Sequence, residues 1–75
     1  MSTQKLRVKS LSGQAKVAIL QYIEEMDLKT DNKLPREEAL AEMLGVSRIT
    51  IRQALNDLAA EGIIFRRQGR GTFVN

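Results

Sequence analysis

Three arginines define the chemistry open to this chain. Arg48 and Arg52 stand four residues apart in a segment with helical apolar spacing, and Arg70 lies between Gly69 and Gly71. A guanidinium is planar, permanently charged and able to donate two parallel hydrogen bonds, so it matches phosphate oxygens and the O6/N7 edge of guanine. Two of them spaced by four on a helix lie on one face, one turn apart. Ser47, Thr50, Gln53 and Gln68 add neutral hydrogen-bonding groups nearby, and Ile49 puts an apolar side chain on the same helix. Such a set can hold anions and base edges but supplies no nucleophile with its base.

Other chemistries find little to work with. The 75 residues contain no histidine and no cysteine, which removes the commonest general base, the commonest nitrogen ligand, thiolate metal sites and disulfides. The pairs Glu24-Glu25 and Glu37-Glu38 are adjacent on helices, about 100° apart around the axis, and so cannot face one another as acid and base. They read as solvated or as complementing a helix dipole. The Gly-Arg-Gly run lies between strand-like segments and lacks the strand-to-helix setting of a phosphate loop. Met26 and Met43 read as core fillers, and Tyr22, Phe65 and Phe73 as packing residues. Aromatic residues make up 4% of the chain, too few for a single-strand stacking platform. The expectation is a non-enzyme with no metal and no cofactor.

Charge is distributed unevenly. Lys5, Arg7 and Lys9 give residues 1–10 a charge of +3; residues 11–46 hold four basic and seven acidic residues, −3; residues 47–75 hold five arginines against Asp57 and Glu61, +3. The isoelectric point near 9.7 passes the value of about 9 that flags nucleic-acid modules. No apolar run approaches the roughly 20 residues a bilayer span needs, and the N-terminus lacks a signal peptide's apolar stretch. A cytoplasmic protein without membrane attachment is the expectation.

The elements that must position these groups follow from periodicity. Residues 1–10 read as a flexible basic arm, and 11–75 as one small domain. From Leu11 to about Met26, Ala15, Ile19, Ile23 and Met26 recur at spacings of three and four, with Leu20 widening the stripe; Ser10 or Ser12 can cap this helix. The run from Asp27 to Lys33 has a surface loop's composition. Pro35 suits the first turn of a second helix, with Leu40, Met43 and Leu44 directed inward and Gly45 closing it. Ser47 suits the N-cap of a third helix, where Ile51, Ala54, Leu55 and Leu58 form the buried face and Gly62 ends it after Glu61. Ile63–Arg67 and Thr72–Val74, separated by Gln68-Gly69-Arg70-Gly71, predict a β-hairpin with Arg70 at its tip. Arg66 and Arg67 point to opposite faces of their strand, so at most one can share a partner with the helix.

The ordered set Leu34-Pro35, Gly45-Val46-Ser47-Arg48, Thr50-Ile51-Arg52, Ala54-Leu55, Leu58, Glu61-Gly62 and Gly69-Arg70-Gly71-Thr72 resembles the GntR family of bacterial transcription regulators. The likeness covers about residues 34–74, with the helix at 11–26 fitting the family's first helix. It implies an α+β winged helix-turn-helix, three helices followed by a two-stranded β-hairpin wing, that binds duplex DNA at a palindromic operator. It also implies a homodimer in the full-length protein, repression, and a C-terminal effector domain that binds a small molecule and is absent from this chain. The Gly-Arg-Gly-Thr-Phe-Val run looks most like the sugar-sensing or amino-acid-pathway branches.

By the same resemblance Ser47, Arg48, Thr50 and Arg52 contact the operator from the third helix and the wing enters the minor groove. Arg48 and Arg52 suit guanine edges, Ser47 and Thr50 suit phosphates, and Gln53 lies on the same helix's polar face. Ile49 packs on sugar or backbone, or touches a thymine methyl. Gln68, Gly69, Arg70 and Gly71 form the wing's contact, where a narrow minor groove attracts Arg70. Two departures matter. Many members have serine, a helix cap, where Arg36 stands, and arginine where Glu38 stands; the expectation is that Arg36 takes over the lost DNA contact. A winged helix that docks a protein through its third helix is the rival reading, and steep salt dependence separates the two.

Overall fold

The structure is a computed structural model and describes residues 10–27 and 31–75. Residues 1–9 of the expected arm lie outside the described residues, while Ser10 belongs to the domain. The element order is α1 (Leu11–Glu25), α2 (Glu37–Leu44), α3 (Arg48–Ala60), β1 (Ile64–Arg67) and β2 (Gly71–Val74).

Each helix begins and ends where local chemistry dictates. Ser10 caps α1, its Oγ accepting the Gly13 N–H at 3.1 Å, and Ser47 caps α3 by accepting the Thr50 N–H at 3.1 Å. Each satisfies a donor that a helix start leaves unpaired. Arg36 occupies the N-cap of α2 and makes no side-chain cap bond. Pro35 therefore stands outside the helix, ahead of its cap, rather than in the first turn; the preceding chain is kept extended by the Leu34 N–H, which donates to Thr72 O at 2.8 Å. At the other end of α2, Gly45 takes φ +70, a left-handed conformation that costs most residues a Cβ clash, and lets the Val46 N–H reach back to Ala41 O at 3.1 Å. The turn between α2 and α3 is thereby compact, and α3 starts at a fixed angle.

Ile19, Leu40, Ile51, Leu55, Leu58 and Ile64 are the largest fully buried side chains. They come from α1, α2, α3 and β1, so α3 runs through the middle of one core. The buried arc of α3, Ile51, Ala54, Leu55 and Leu58, is the one its spacing predicts. On α2 the inward residues are Leu40 and Ala41 with Leu44 half-buried, whereas Met43 is 55% exposed. At about 100° per residue, Met43 falls well to one side of the arc centred between Leu40 and Ala41, so it is not the core filler expected.

β1 and β2 pair antiparallel in the register Ile64↔Val74, Phe65↔Phe73, Arg66↔Thr72 and Arg67↔Gly71. Ile64 and Val74 are buried, and on the other face Phe65 and Phe73 stack with centroids 5.6 Å apart. The segment expected to be loop joins this sheet at its edge: Lys33 bridges Phe73, and the Val74 N–H donates to Asn32 O at 2.8 Å. Nothing in Asn32-Lys33-Leu34 alternates like a strand, because only this short edge pairs and only Leu34 is buried. No described helix is long and apolar enough to cross a membrane.

Candidate nucleic-acid interface

The exposed face of α3 is assembled by subtraction from its buried one. With Ile51, Ala54, Leu55 and Leu58 committed to the core, Arg48, Ile49, Arg52, Gln53 and Asn56 remain exposed. At about 100° per residue they fall within an arc of roughly 140°. Ile49 is 68% exposed, so an apolar side chain does stand on this polar face.

Thr50 differs from its neighbours. It is 9% exposed, with its hydroxyl 2.9 Å from Ser47 Oγ, so it lies under the N-terminus of α3 rather than freely on the exposed polar face. The sequence spacing places residue 50 between the two arcs, and the serine cap draws it inward. Ser47 itself is exposed and keeps acceptor capacity beside the positive end of the helix dipole.

Arg52 is held from α2. Its Nε and Nη2 donate to Glu37 Oε1 at 3.3 and 3.1 Å. Glu37 Oε2 lies 3.8 Å from an Arg66 terminal nitrogen, and the other Arg66 terminal nitrogen donates to Asn56 Oδ1. One carboxylate thus ties the first helix of the motif to the second and to the wing. The sequence marks Glu37 only as a solvated or dipole-complementing residue and does not reveal this role. Its position in the first turn of α2 is compatible with both, and no local pattern reveals a partner fifteen residues away.

The two strand arginines make separate contacts, yet both line the one cleft between the wing and the starts of α2 and α3, where alternation led to the expectation of at most one. Arg66 turns toward α3, whereas Arg67 extends over the Phe65 ring, 5.9 Å from its centroid. At the wing tip the Arg70 N–H donates to Arg67 O at 2.9 Å, and Gly69 has φ +77. Gln68, Gly69, Arg70 and Gly71 are all exposed.

Between wing, α2 start and α3 start lies an open cleft of about 660 Å³, whose walls carry Lys33, Arg36, Arg48, Arg66, Arg67 and Arg70. Glu37 and Glu38 are its acidic members, and Glu37 is already engaged by Arg52 and Arg66. The cleft is therefore cationic, and it joins the third helix to the wing tip along one surface. Among the described residues no cluster of potential metal ligands occurs.

A helix, tight turn and second helix with an exposed cationic face, followed by a two-stranded wing on the same side, define a winged helix-turn-helix domain of the DNA-binding class. A model described as bacterial regulatory proteins, gntR family, matches residues 11–74, and the chain belongs to that family. The HTH-type transcriptional repressor NagR of Bacillus subtilis (strain 168) is 49% identical over 53 residues, 71% of this chain and 22% of that protein. The arabinose metabolism transcriptional repressor of Geobacillus stearothermophilus is 44% identical over 62 residues, 83% of this chain and 17% of that protein. The chain thus spans about a fifth of the length of these relatives. Among solved structures, the N-terminal domain of AraR in complex with mutant ORR3 superposes with a TM-score of 0.79 at 38% identity, covering 92% of this chain and 99% of that one. The AraR DNA-binding domain in complex with operator ORR3 gives 0.78 at 38%, covering 91% and 82%.

Proposed function

We propose that this chain is the sequence-specific duplex-DNA reader of a transcription repressor, with α3 in the major groove and the wing in the adjacent minor groove. The observation that carries the reading is the single cationic surface running from Arg48 at the start of α3 to Arg70 at the wing tip, with Arg52 exposed one turn further along α3. Its likeness to AraR structures holding operator DNA supports the partner.

In this reading Arg48 and Arg52 address guanine edges, Gln53 and Ile49 extend the base contact, and Ser47 and the N–H groups at the start of α3 hold a phosphate. Thr50 acts from beneath, keeping the Ser47 hydroxyl in place. Gln68, Gly69, Arg70 and Gly71 enter the minor groove, and Arg36 supplies the cation that Glu38 does not. The domain works without catalysis and in the cytoplasm. Two copies, tethered by an effector-binding portion of a longer chain, bind the halves of a palindromic operator about one helical turn apart.

The test is selection of binding sites from a random duplex library, repeated with Arg52→Ala and at two salt concentrations. The expected result is a defined half-site that relaxes in the variant, with affinity falling steeply as salt rises. Recovery of no motif, with parent and variant binding alike, would replace direct readout by a protein-docking role for α3.

A further inference from the structure

The cleft contains a lysine, Lys33, that base readout and wing insertion leave unused. Lys33 sits on the sheet edge, its backbone fixed by the bridge to Phe73 and by its own N–H, which donates to Asp31 Oδ1 at 2.9 Å. Its side chain crosses β2 at Gly71: a Cβ built on that glycine would lie 2.9 Å from Lys33 Cε and 3.7 Å from Lys33 Nζ. Gly71 also has φ +124, a conformation side chains rarely adopt. The glycine therefore does two things at once, allowing the backbone bend where the tip turn enters β2 and leaving the space in which the lysine stem lies. Among the described residues the Lys33 ammonium has no carboxylate within ion-pair distance, whereas Lys16 pairs with Glu61, and Arg52 and Arg66 with Glu37.

We infer that Lys33, seated across Gly71, is a phosphate-binding residue that grips the DNA backbone between the major groove read by α3 and the minor groove entered by the wing. The inference rests on the DNA-reading function proposed above and assigns it a further site. Geometry selects the ligand. Lys33 lines the same cleft as Arg36 and Arg48 on one side and Arg70 on the other. A duplex that fills the major groove with α3 and the minor groove with the wing tip must pass the intervening strand between those walls. An ammonium is a compact point charge suited to a phosphate oxygen and carries no base-reading fork. The contact consequently adds affinity without sequence preference.

The experiment uses the full 75-residue chain and a duplex selected by the parent, with binding titrated at several salt concentrations for the parent, Lys33→Gln and Lys33→Arg. The expected slope of log affinity against log salt is shallower by about one for Lys33→Gln. A fourfold rise in salt then costs that variant about fourfold less affinity than it costs the parent. Both selected and random duplexes should weaken by the same factor, and Lys33→Arg should keep the parent slope. Neutral methylphosphonates placed one at a time along the duplex should reveal a backbone position that weakens the parent and leaves Lys33→Gln unaffected. An unchanged slope in Lys33→Gln, or no such position, overturns the Lys33 site while leaving α3 readout standing. Failure of the parent to bind any duplex overturns both, and is told apart by appearing before any variant is compared.

Discussion

Arg52 and Glu37 face each other across the two helices of the motif, the guanidinium giving two N–H bonds to a single carboxylate oxygen. An arginine has five N–H donors, so about three stay available for DNA, in a plane that the carboxylate has already oriented. The pair contributes little to stability, since the Arg52 side chain is 54% exposed and exposed ion pairs contribute about 0–1 kcal/mol. What it limits is rotamer freedom, which would otherwise be lost on binding.

Glu37→Gln is therefore expected to leave the fold within about 1 kcal/mol of the parent. It should flatten base preference at the position that Arg52→Ala abolishes, where a bidentate arginine contact gives about 1–3 kcal/mol of discrimination. Thermal unfolding and library selection read the two effects separately. A variant that selects the parent motif with the same sharpness would show that Arg52 needs no carboxylate to aim it.

Arg36 stands at an N-cap that prefers serine, and it makes no cap bond. Arg36→Ser should stabilise the domain by about 1 kcal/mol, since the hydroxyl can accept an N–H in the first turn of α2. The same change removes one cation from the cleft and should lower the salt slope of DNA binding by about one. Stability and affinity thus move in opposite directions. If both rise together, Arg36 makes no phosphate contact and the departure from serine has no compensating role at the interface.

How much of this was legible in the sequence depends on the range of the interactions. The buried face of α3 could be read from the spacing of Ile51, Ala54, Leu55 and Leu58, and the helix boundaries from Ser47 and Gly45, because these signals act within one or two turns. Met43 was misplaced because α2 is only eight residues long, too short for its spacing to distinguish Leu40 and Ala41 from the adjoining face. The edge pairing of Asn32–Leu34 and the engagement of Glu37 were not legible. Both are made by partners on distant segments, Thr72, Phe73 and Val74 in one case and Arg52 and Arg66 in the other.

Ser47 combines a structural and a binding task that two substitutions should separate. Ser47→Ala removes the oxygen that accepts the Thr50 N–H and meets the Thr50 hydroxyl. It should cost about 1 kcal/mol, a fall in Tm of about 4–8 °C for a domain of this size. Ser47→Asp keeps a cap acceptor and should hold Tm near the parent value, while its charge repels phosphate and weakens DNA binding at low salt. Loss of stability in the aspartate variant as well would place the importance of Ser47 in its hydroxyl donor, not in the cap.

Ile49 is the remaining feature of α3 that polar chemistry does not explain. At 68% exposure it contributes little to the core, so Ile49→Ala should fold as the parent does. An apolar side chain in a major groove has one distinctive partner, the thymine methyl. Burying such a methyl contributes about 0.8 kcal/mol, or about fourfold in affinity. Replacing single thymines of a selected duplex by deoxyuracil should therefore weaken the parent about fourfold at one position and leave Ile49→Ala unmoved there. If every deoxyuracil duplex binds the parent as tightly as its thymine counterpart, Ile49 packs on sugar and backbone. The preference of α3 is then carried by its arginines and Gln53 alone.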